Sequence, residues 1–493
     1  MTVNAPAVLE TQPRVRDHRW WALAVLAIAQ LMVVLDATVV NIALPSAQKA
    51  LAFSNADRQW VVTAYALTFG GLLLLGGRMA DLLGRRRTFL IGLAGFALAS
   101  AAGGASTSFG MLVAARATQG AFGAILAPAG LSLLTTAFTE VRERARAFAI
   151  YGAIAGAGAA VGLLLGGVLT EYLDWRWCLF VNIVFAVVAA VGAITFLHDQ
   201  ERDPTARLDL PGALLAVAGL AGVVYGFSEA SLHGWGSPLT VGFLVGSVGL
   251  LALFVLVESR SAHPLLPMRI MVDRNRGGAN LAILLVGVGM FGVFLFLTYY
   301  LQLTLGYTPI KTGLAFLPMV GAIMVSSTLG GVILLPRSGP RPLIVAGMAI
   351  GGVGMVLLTQ ITVSPDYSGH VLPALLVLGA GMGLIFAAAM NAATAGAEPR
   401  DAGVASALPN VAQQIGGALG PALLNTIWTS AVASYRPTGV PVNRAAALAA
   451  ASVHGDTVAF SVVYVILFVS AVLCLLVLRR GRIPGAPGAV PAM

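Results

Sequence analysis

Asp36 lies in the run Leu35-Asp36-Ala37-Thr38-Val39-Val40, inside an apolar stretch from about Trp20 to Leu44 that is long enough to cross a bilayer. A charge at that depth costs at least ~2.5–3.5 kcal/mol on insertion scales, so it is expected to face a bundle interior or an aqueous cavity. Arg116, in Arg116-Ala117-Thr118-Gln119-Gly120, is the one other charge read as lying equally deep. An embedded carboxylate can take up and release a proton, or stay ionised and attract a cation. It can also be a packing acid paired with Arg116. The arginine keeps its proton, so it can tune a neighbouring acid but cannot exchange for it. Its alternative is to snorkel to an interface; Gln119, one turn on, favours the buried reading. Asn41 is expected to share a polar stripe with Asp36.

The elements that must position these groups follow from composition. Of 493 residues, 58% are hydrophobic and 10% charged, against about 25% charged in soluble domains. The chain reads as an all-α polytopic membrane protein with fourteen transmembrane helices, the first near 20–44 and the last near 457–478. The spans lack the alternation of barrel strands. Two polar segments divide them. Residues 1–19 form an N-terminal tail, 20–197 a six-helix bundle, 198–277 a linker with two extra central helices, 278–478 a second six-helix bundle and 479–493 a C-terminal tail.

Orientation follows from loop charge. Of 29 Lys and Arg residues, only Lys49, Arg58, Arg176, Lys311, Arg436 and Arg444 fall on the expected outer side, Arg116 lying within a span. The positive-inside rule then puts both termini in the cytoplasm and the chain in the cell membrane as a multi-pass protein. The formal charge of +9 is spread over short loops with no basic domain, so no nucleic-acid partner is expected. Cys178 and Cys474 read as packing residues too far apart to pair. Trp175 and Trp177, with Arg176, read as interfacial anchors.

The first short loop reads Gly77-Arg78-Met79-Ala80-Asp81-Leu82-Leu83-Gly84-Arg85-Arg86-Arg87. Gly77 and Gly84 permit tight turns, and Asp81 can pair with Arg85 or Arg86. Such a clasp would hold one conformation and release in another. The loop Gly331 to Arg341 repeats it faintly: Gly331 and Gly339 are eight apart, as are Gly76 and Gly84, and an arginine stands two residues beyond the second glycine of each. Gly158, Gly162, Gly166 and Gly167 form a small-residue stripe suited to close helix packing. A largely apolar substrate cavity could be lined by Asn41, Gln119, Tyr299, Gln302, Asn391, Asn410 and Gln413; interhelical hydrogen bonding explains the same residues equally well.

Residues 77–87 resemble the major facilitator superfamily loop G-x-L-A-D-R-x-G-R-[KR], departing at Met79 and Leu82. Leu35 to Pro45 resembles the first-helix signature of the fourteen-span drug:proton antiporter branch, and Leu112 to Gly120 the fourth-helix pattern L-x-x-x-R-x-x-Q-G. Gly158 to Gly167 is similar to the antiporter motif G-x-x-x-G-P-x-x-G-G, with Leu163 in place of proline. The resemblance implies a multidrug resistance exporter working by alternating access, with Arg116 assisting proton transfer at Asp36.

No Walker loop, metal cluster or nucleophile–base pair is visible, so an enzyme is not expected, nor any cofactor beyond the proton motive force. The expected partners are protons, lipid and a small amphiphilic compound; a monomer is expected. One clear embedded acid favours a neutral or monocationic substrate. The rival readings are export of an endogenous metabolite, proton-coupled import, and a non-transporting sensor or scaffold.

Overall fold

The computed structural model describes residues 19–138, 140–197, 209–261, 264–364, 366–395, 402–435, 444–479 and 481. The expected tails, apart from Arg19, Arg479 and Gly481, and the segment 198–208 lie outside the described residues.

Fourteen long helices run through the described chain: α1 (Arg19–Leu51), α2 (Trp60–Leu83), α3 (Arg85–Gly104), α4 (Phe109–Ala137), α5 (Val141–Tyr172), α6 (Trp177–Phe196), α7 (Leu210–His233) and α8 (Pro238–Arg260). They continue as α9 (Arg274–Thr304), α10 (Pro309–Ser338), α11 (Pro340–Leu358), α12 (Tyr367–Thr394), α13 (Ala402–Ser434) and α14 (Arg444–Val477). Among the described residues, twelve are long and apolar enough to cross a membrane. The other two are α5, which opens on Val-Arg-Glu-Arg-Ala-Arg, and α13, which carries amides and two internal prolines. The final helix begins at Arg444 rather than near residue 457, because Ala445 to Ser452 is a run of strong helix formers that extends the last span.

Helix starts are fixed by local chemistry. Ser108, Asp209, Asp273 and Thr308 each accept backbone N–H groups at the first turn of α4, α7, α9 and α10. Gly84 (φ 92°) and Gly339 (φ 75°) make the sharp turns before α3 and α11, a backbone that only glycine adopts freely. The faint loop repeat has a structural counterpart here. Arg86, two residues past Gly84, donates to the Ala193 and Ile194 carbonyls at the end of α6. Arg341, two residues past Gly339, donates to the Leu475 carbonyl at the end of α14. Each arginine adds a donor to carbonyls at a helix C-terminus, where cationic charge suits the helix dipole.

Within the first six helices, α4 packs on α2 and α3, and α1 on α5 and α6. Within the last six, α13 packs on α9 and α14, and α12 on α10 and α11. The two sets meet along a seam formed by α2 against α13, α5 against α10 and α1 against α9. The α7–α8 pair lies outside both, with α7 resting on α2 and α13 together.

Call the face holding the start of α1 and the end of α14 the terminal face, and the other the opposite face. Among the described residues, every hydrogen bond across the seam lies in the half toward the opposite face. Gln48 Oε1 accepts from the Tyr299 hydroxyl (2.6 Å), the Ile42 carbonyl from Gln302 (3.0 Å), Ala418 O from Thr63 (3.3 Å) and Glu171 from the Ile310 N–H (3.0 Å). The glycine stripe of α5 permits close approach to α1 within the first bundle and, at Gly167, across the seam. A Cβ on Gly162 would collide with Thr38 of α1, one on Gly166 would meet Val39 at 3.0–3.1 Å, and one on Gly167 would meet the Ile310 Cα at 2.7 Å across the seam. Leu163, where the family motif has proline, is buried, and its carbonyl lies against Gly313 of α10.

Gly167→Val is therefore expected to lower the thermal transition of the detergent-solubilised protein, at an overpacking cost of about 1–3 kcal/mol. Gly321→Ala, where a Cβ meets nothing within 4 Å, is expected to leave the transition unchanged or raise it. Equal melting of the two variants would show that the seam tolerates a side chain at Gly167.

Candidate functional site

Asp36 sits midway along α1 with no exposed surface. Its Oδ2 lies 2.6 Å from Nη1 of Arg116 on α4. Its Oδ1 accepts from Gln119 of α4 at 3.0 Å and from Asn182 of α6 at 2.7 Å. Gln119 also donates to Ser100 of α3 (2.7 Å) while its oxygen accepts from Arg116 (2.8 Å). The guanidinium is held further by the Val61 carbonyl of α2 (3.1 Å to Nε) and lies 4.3 Å from the Tyr65 ring centroid. The sequence-derived trio Asp36, Arg116 and Gln119 is one network, and Arg116 does not snorkel.

Helical spacing explains the assembly. Arg116 and Gln119 are three residues apart, so both project from one face of α4. A charge pair in a low-dielectric interior is favourable only when its remaining lone pairs and protons are satisfied, and the amides of Gln119 and Asn182 do that for the carboxylate. Beside the pair, the Tyr65 hydroxyl and the Asn182 amide oxygen are buried with no hydrogen-bond partner among the described residues, leaving polar capacity unspent.

Asn41 does not join. Its Nδ2 donates to Ala37 O of its own helix at 2.9 Å, because five residues carry it past the face that Asp36 occupies. Tyr299 and Gln302 serve the seam, as described above. Asn410 is exposed and Asn391 and Gln413 are partly buried. Gln413 lies where α13 backs onto Gly287 of α9. Asn391 and Asn410 are not brought to the Asp36 network. The Asp81 side chain lies outside the described residues, and the first loop's Arg86 is engaged with the end of α6. A Cβ on Gly77 would meet only Pro128, at 3.8 Å.

Several sequence expectations are overturned. Asp456, on α14, is 4% exposed and accepts from the Trp428 indole N–H at 2.9 Å. The span boundary drawn at 457 hid it, so Asp36 is not the one embedded acid. Arg58, counted as an outer-loop charge, is 2% exposed. Trp175 is no anchor, being 4% exposed with the Arg176 guanidinium 4.5 Å from its ring centroid; Trp177 is half exposed as an anchor should be. Asn182 and Ser100 were missed because neutral polar residues are ordinary in such helices; Asn182, six residues into α6, carried no charge to mark it. Cys178 and Cys474 are free and buried.

A multi-helix membrane bundle of two packed sixes, with a hydrogen-bonded acid–base pair in one of them, has the build of a transporter. The profile of the Major Facilitator Superfamily matches residues 26–421, and the chain belongs to that family. It is 52% identical over 460 residues to the puromycin resistance protein pur8 of Streptomyces alboniger, covering 92% of this chain and 90% of that one. It is 42% identical over 409 residues to the cephamycin export protein CmcT of Amycolatopsis lactamdurans, covering 82% and 84%. Its fold matches a bacterial homologue of the human lysosomal transporter Spinster, solved inward-facing and unoccupied. That match has a TM-score of 0.65 at 16% identity and covers 94% and 97% of the two chains.

Arg116→Leu is expected to destabilise the solubilised protein by ~3–5 kcal/mol, because it strands a buried carboxylate, and Asp36→Leu added to it to recover most of that loss. Thermal melts of both variants check this. A double variant that melts no higher than Arg116→Leu would mean that the charges themselves are not what the fold is built around.

Proposed function

We propose that this chain is a fourteen-span exporter that exchanges protons for an amphiphilic compound of the antibiotic class by alternating access. The observation that carries the reading is the buried Asp36–Arg116 network at the centre of the first bundle. In this state both carboxylate oxygens are occupied by donors. A proton on Asp36 cancels the ionic bond to Arg116, which keeps Val61 O, Gln119 and the Tyr65 ring. The link between α1 and α4 then weakens while the rest of α4 stays anchored. A proton can thus change how α1 sits against α4 without unfolding the bundle.

The remaining assignments fit that cycle. With both termini cytoplasmic, as the loop charges favour, the terminal face is the inner one, and a seam closed toward the opposite face corresponds to an inward-facing state. Residues 20–197 and 278–478 are then the two rocking bundles and 198–277 a peripheral insert, all in one plasma-membrane monomer. Gly77, Asp81, Gly84 and Arg85 would clasp the inner side when it closes, with Arg86 fixing the loop to α6. Gly158, Gly162, Gly166 and Gly167 give the moving helices their close approach. Gln119 tunes the acid, while Tyr299, Gln302, Asn391, Asn410 and Gln413 line or flank the path. The relatives named for puromycin resistance and cephamycin export support an antibiotic as substrate.

Inverted membrane vesicles with an acid interior and a pH-sensitive dye provide the test, using a panel of antibiotics and lipophilic cations. Wild-type vesicles are expected to release protons on addition of a substrate, and Asp36→Asn vesicles, containing equal protein, to lose at least ~90% of that signal. Release that persists in Asp36→Asn would move the coupling elsewhere. Substrate flux without proton movement would remove the antiport.

A further inference from the structure

Arg58 precedes α2 and belongs to the first bundle, yet its guanidinium lies wholly within the second. Its Cζ is 4.3 Å from the Tyr299 ring centroid, 4.4 Å from that of Trp428 and 5.2 Å from that of Phe296. Its Nε donates to Asn425 Oδ1 at 3.1 Å. Behind the cage, Asp456 accepts from the Trp428 indole. All four cage groups are 5% exposed or less: Phe296, Tyr299, Trp428 and Asp456. Among the described residues no carboxylate forms an ion pair with Arg58, and its Nη2 has no hydrogen-bond partner. A buried guanidinium so placed is held chiefly by ring faces, one amide and a carboxylate at one remove.

Three aromatic faces with a carboxylate behind them make a receptor for an organic cation. Every wall comes from α9, α13 or α14, whereas the occupant comes from across the seam. Resting on the alternating-access reading above, we propose that the cage is a cation-binding site on the second bundle that is exposed when the seam opens at the opposite face. Arg58 is its tethered competitor. When the bundles part there, Arg58 leaves with α2, and the cage takes the ammonium or guanidinium group of a monocationic compound. When the seam closes, Arg58 re-enters and expels that cation toward the opposite face. Asn425 reports docking by its dual engagement: its oxygen accepts from Arg58, while its Nδ2 donates to Asn55 O, Ala56 O and Gln59 Oε1. One amide thus reads the whole loop that delivers the arginine.

The proposal concerns binding and can be tested without transport. Methylguanidinium reproduces the Arg58 head group, and its binding to the full-length protein in nanodiscs can be followed through Trp428 fluorescence. Arg58→Ala is expected to bind it at least ~10-fold more tightly than wild type, whose cage is filled. Arg58→Ala/Asp456→Asn is expected to lose that gain. Arg58→Lys, which retains a tethered cation, is expected to behave like wild type and shows that any gain is not caused by a loosened fold. No gain in Arg58→Ala, with a size-exclusion profile matching wild type, would overturn the proposal; so would a gain that survives Asp456→Asn. Because no proton flux is measured, either result stands apart from the fate of the antiport reading at Asp36.

Discussion

A carboxylate in hydrocarbon must be answered by groups of the protein itself, since no solvent is there to do it. Asp36 is answered by Arg116, and each of the two then recruits further partners: Gln119, Asn182 and through Gln119 Ser100 on one side, the Val61 carbonyl and the Tyr65 ring on the other. These groups come from α1, α2, α3, α4 and α6. One ion pair therefore ties five of the first six helices, and their relative rotations are fixed by it as firmly as by apolar packing. The apolar surfaces do not choose among rotations in this way, because lipid competes for them on equal terms.

The seam follows the opposite logic. Its closeness depends on what is absent, the side chains that Gly167 and Gly313 do not have. Apart from the Arg58 loop and Asn425, its polar contacts are isolated hydrogen bonds to carbonyls, an amide and the Glu171 carboxylate. A bundle tied by ionic and amide contacts thus stands next to a joint shaped by missing side chains. The paired arginine caps, Arg86 on α6 and Arg341 on α14, mark the two bundles as copies of one plan, since a duplicated loop would keep both its glycine turn and its target.

Much of this was legible in the chain. Asp36, Arg116 and Gln119 announced themselves because charges and amides are scarce at membrane depth, and spacing along α4 put two of them on one face. The α5 glycines were equally visible, although nothing in the sequence told that Gly167 crosses the seam while Gly162 does not. Arg58 and Asp456 were hidden for a shared reason. Each lies where a hydropathy profile has already turned polar, so each was assigned to water, yet helices of the second bundle extend far enough to bury both. Asn182 was invisible because its role depends on α6 facing α1, a tertiary fact. Asn41 failed in reverse: it is close to Asp36 in sequence and points elsewhere.

The α7–α8 pair adds an asymmetry of shape. Trp60 of α2 donates to Ser228 of α7, and Thr426 of α13 donates to the Phe227 carbonyl of α7. A single helix is thus fastened to both sides of the α2–α13 joint. Among the described residues no peripheral helix bridges the α5–α10 joint in this way. The two flanks of the molecule therefore meet the bilayer differently. One joint thus faces the acyl chains bare and the other is shuttered, a handedness that the near-twofold plan of the bundles would never have required.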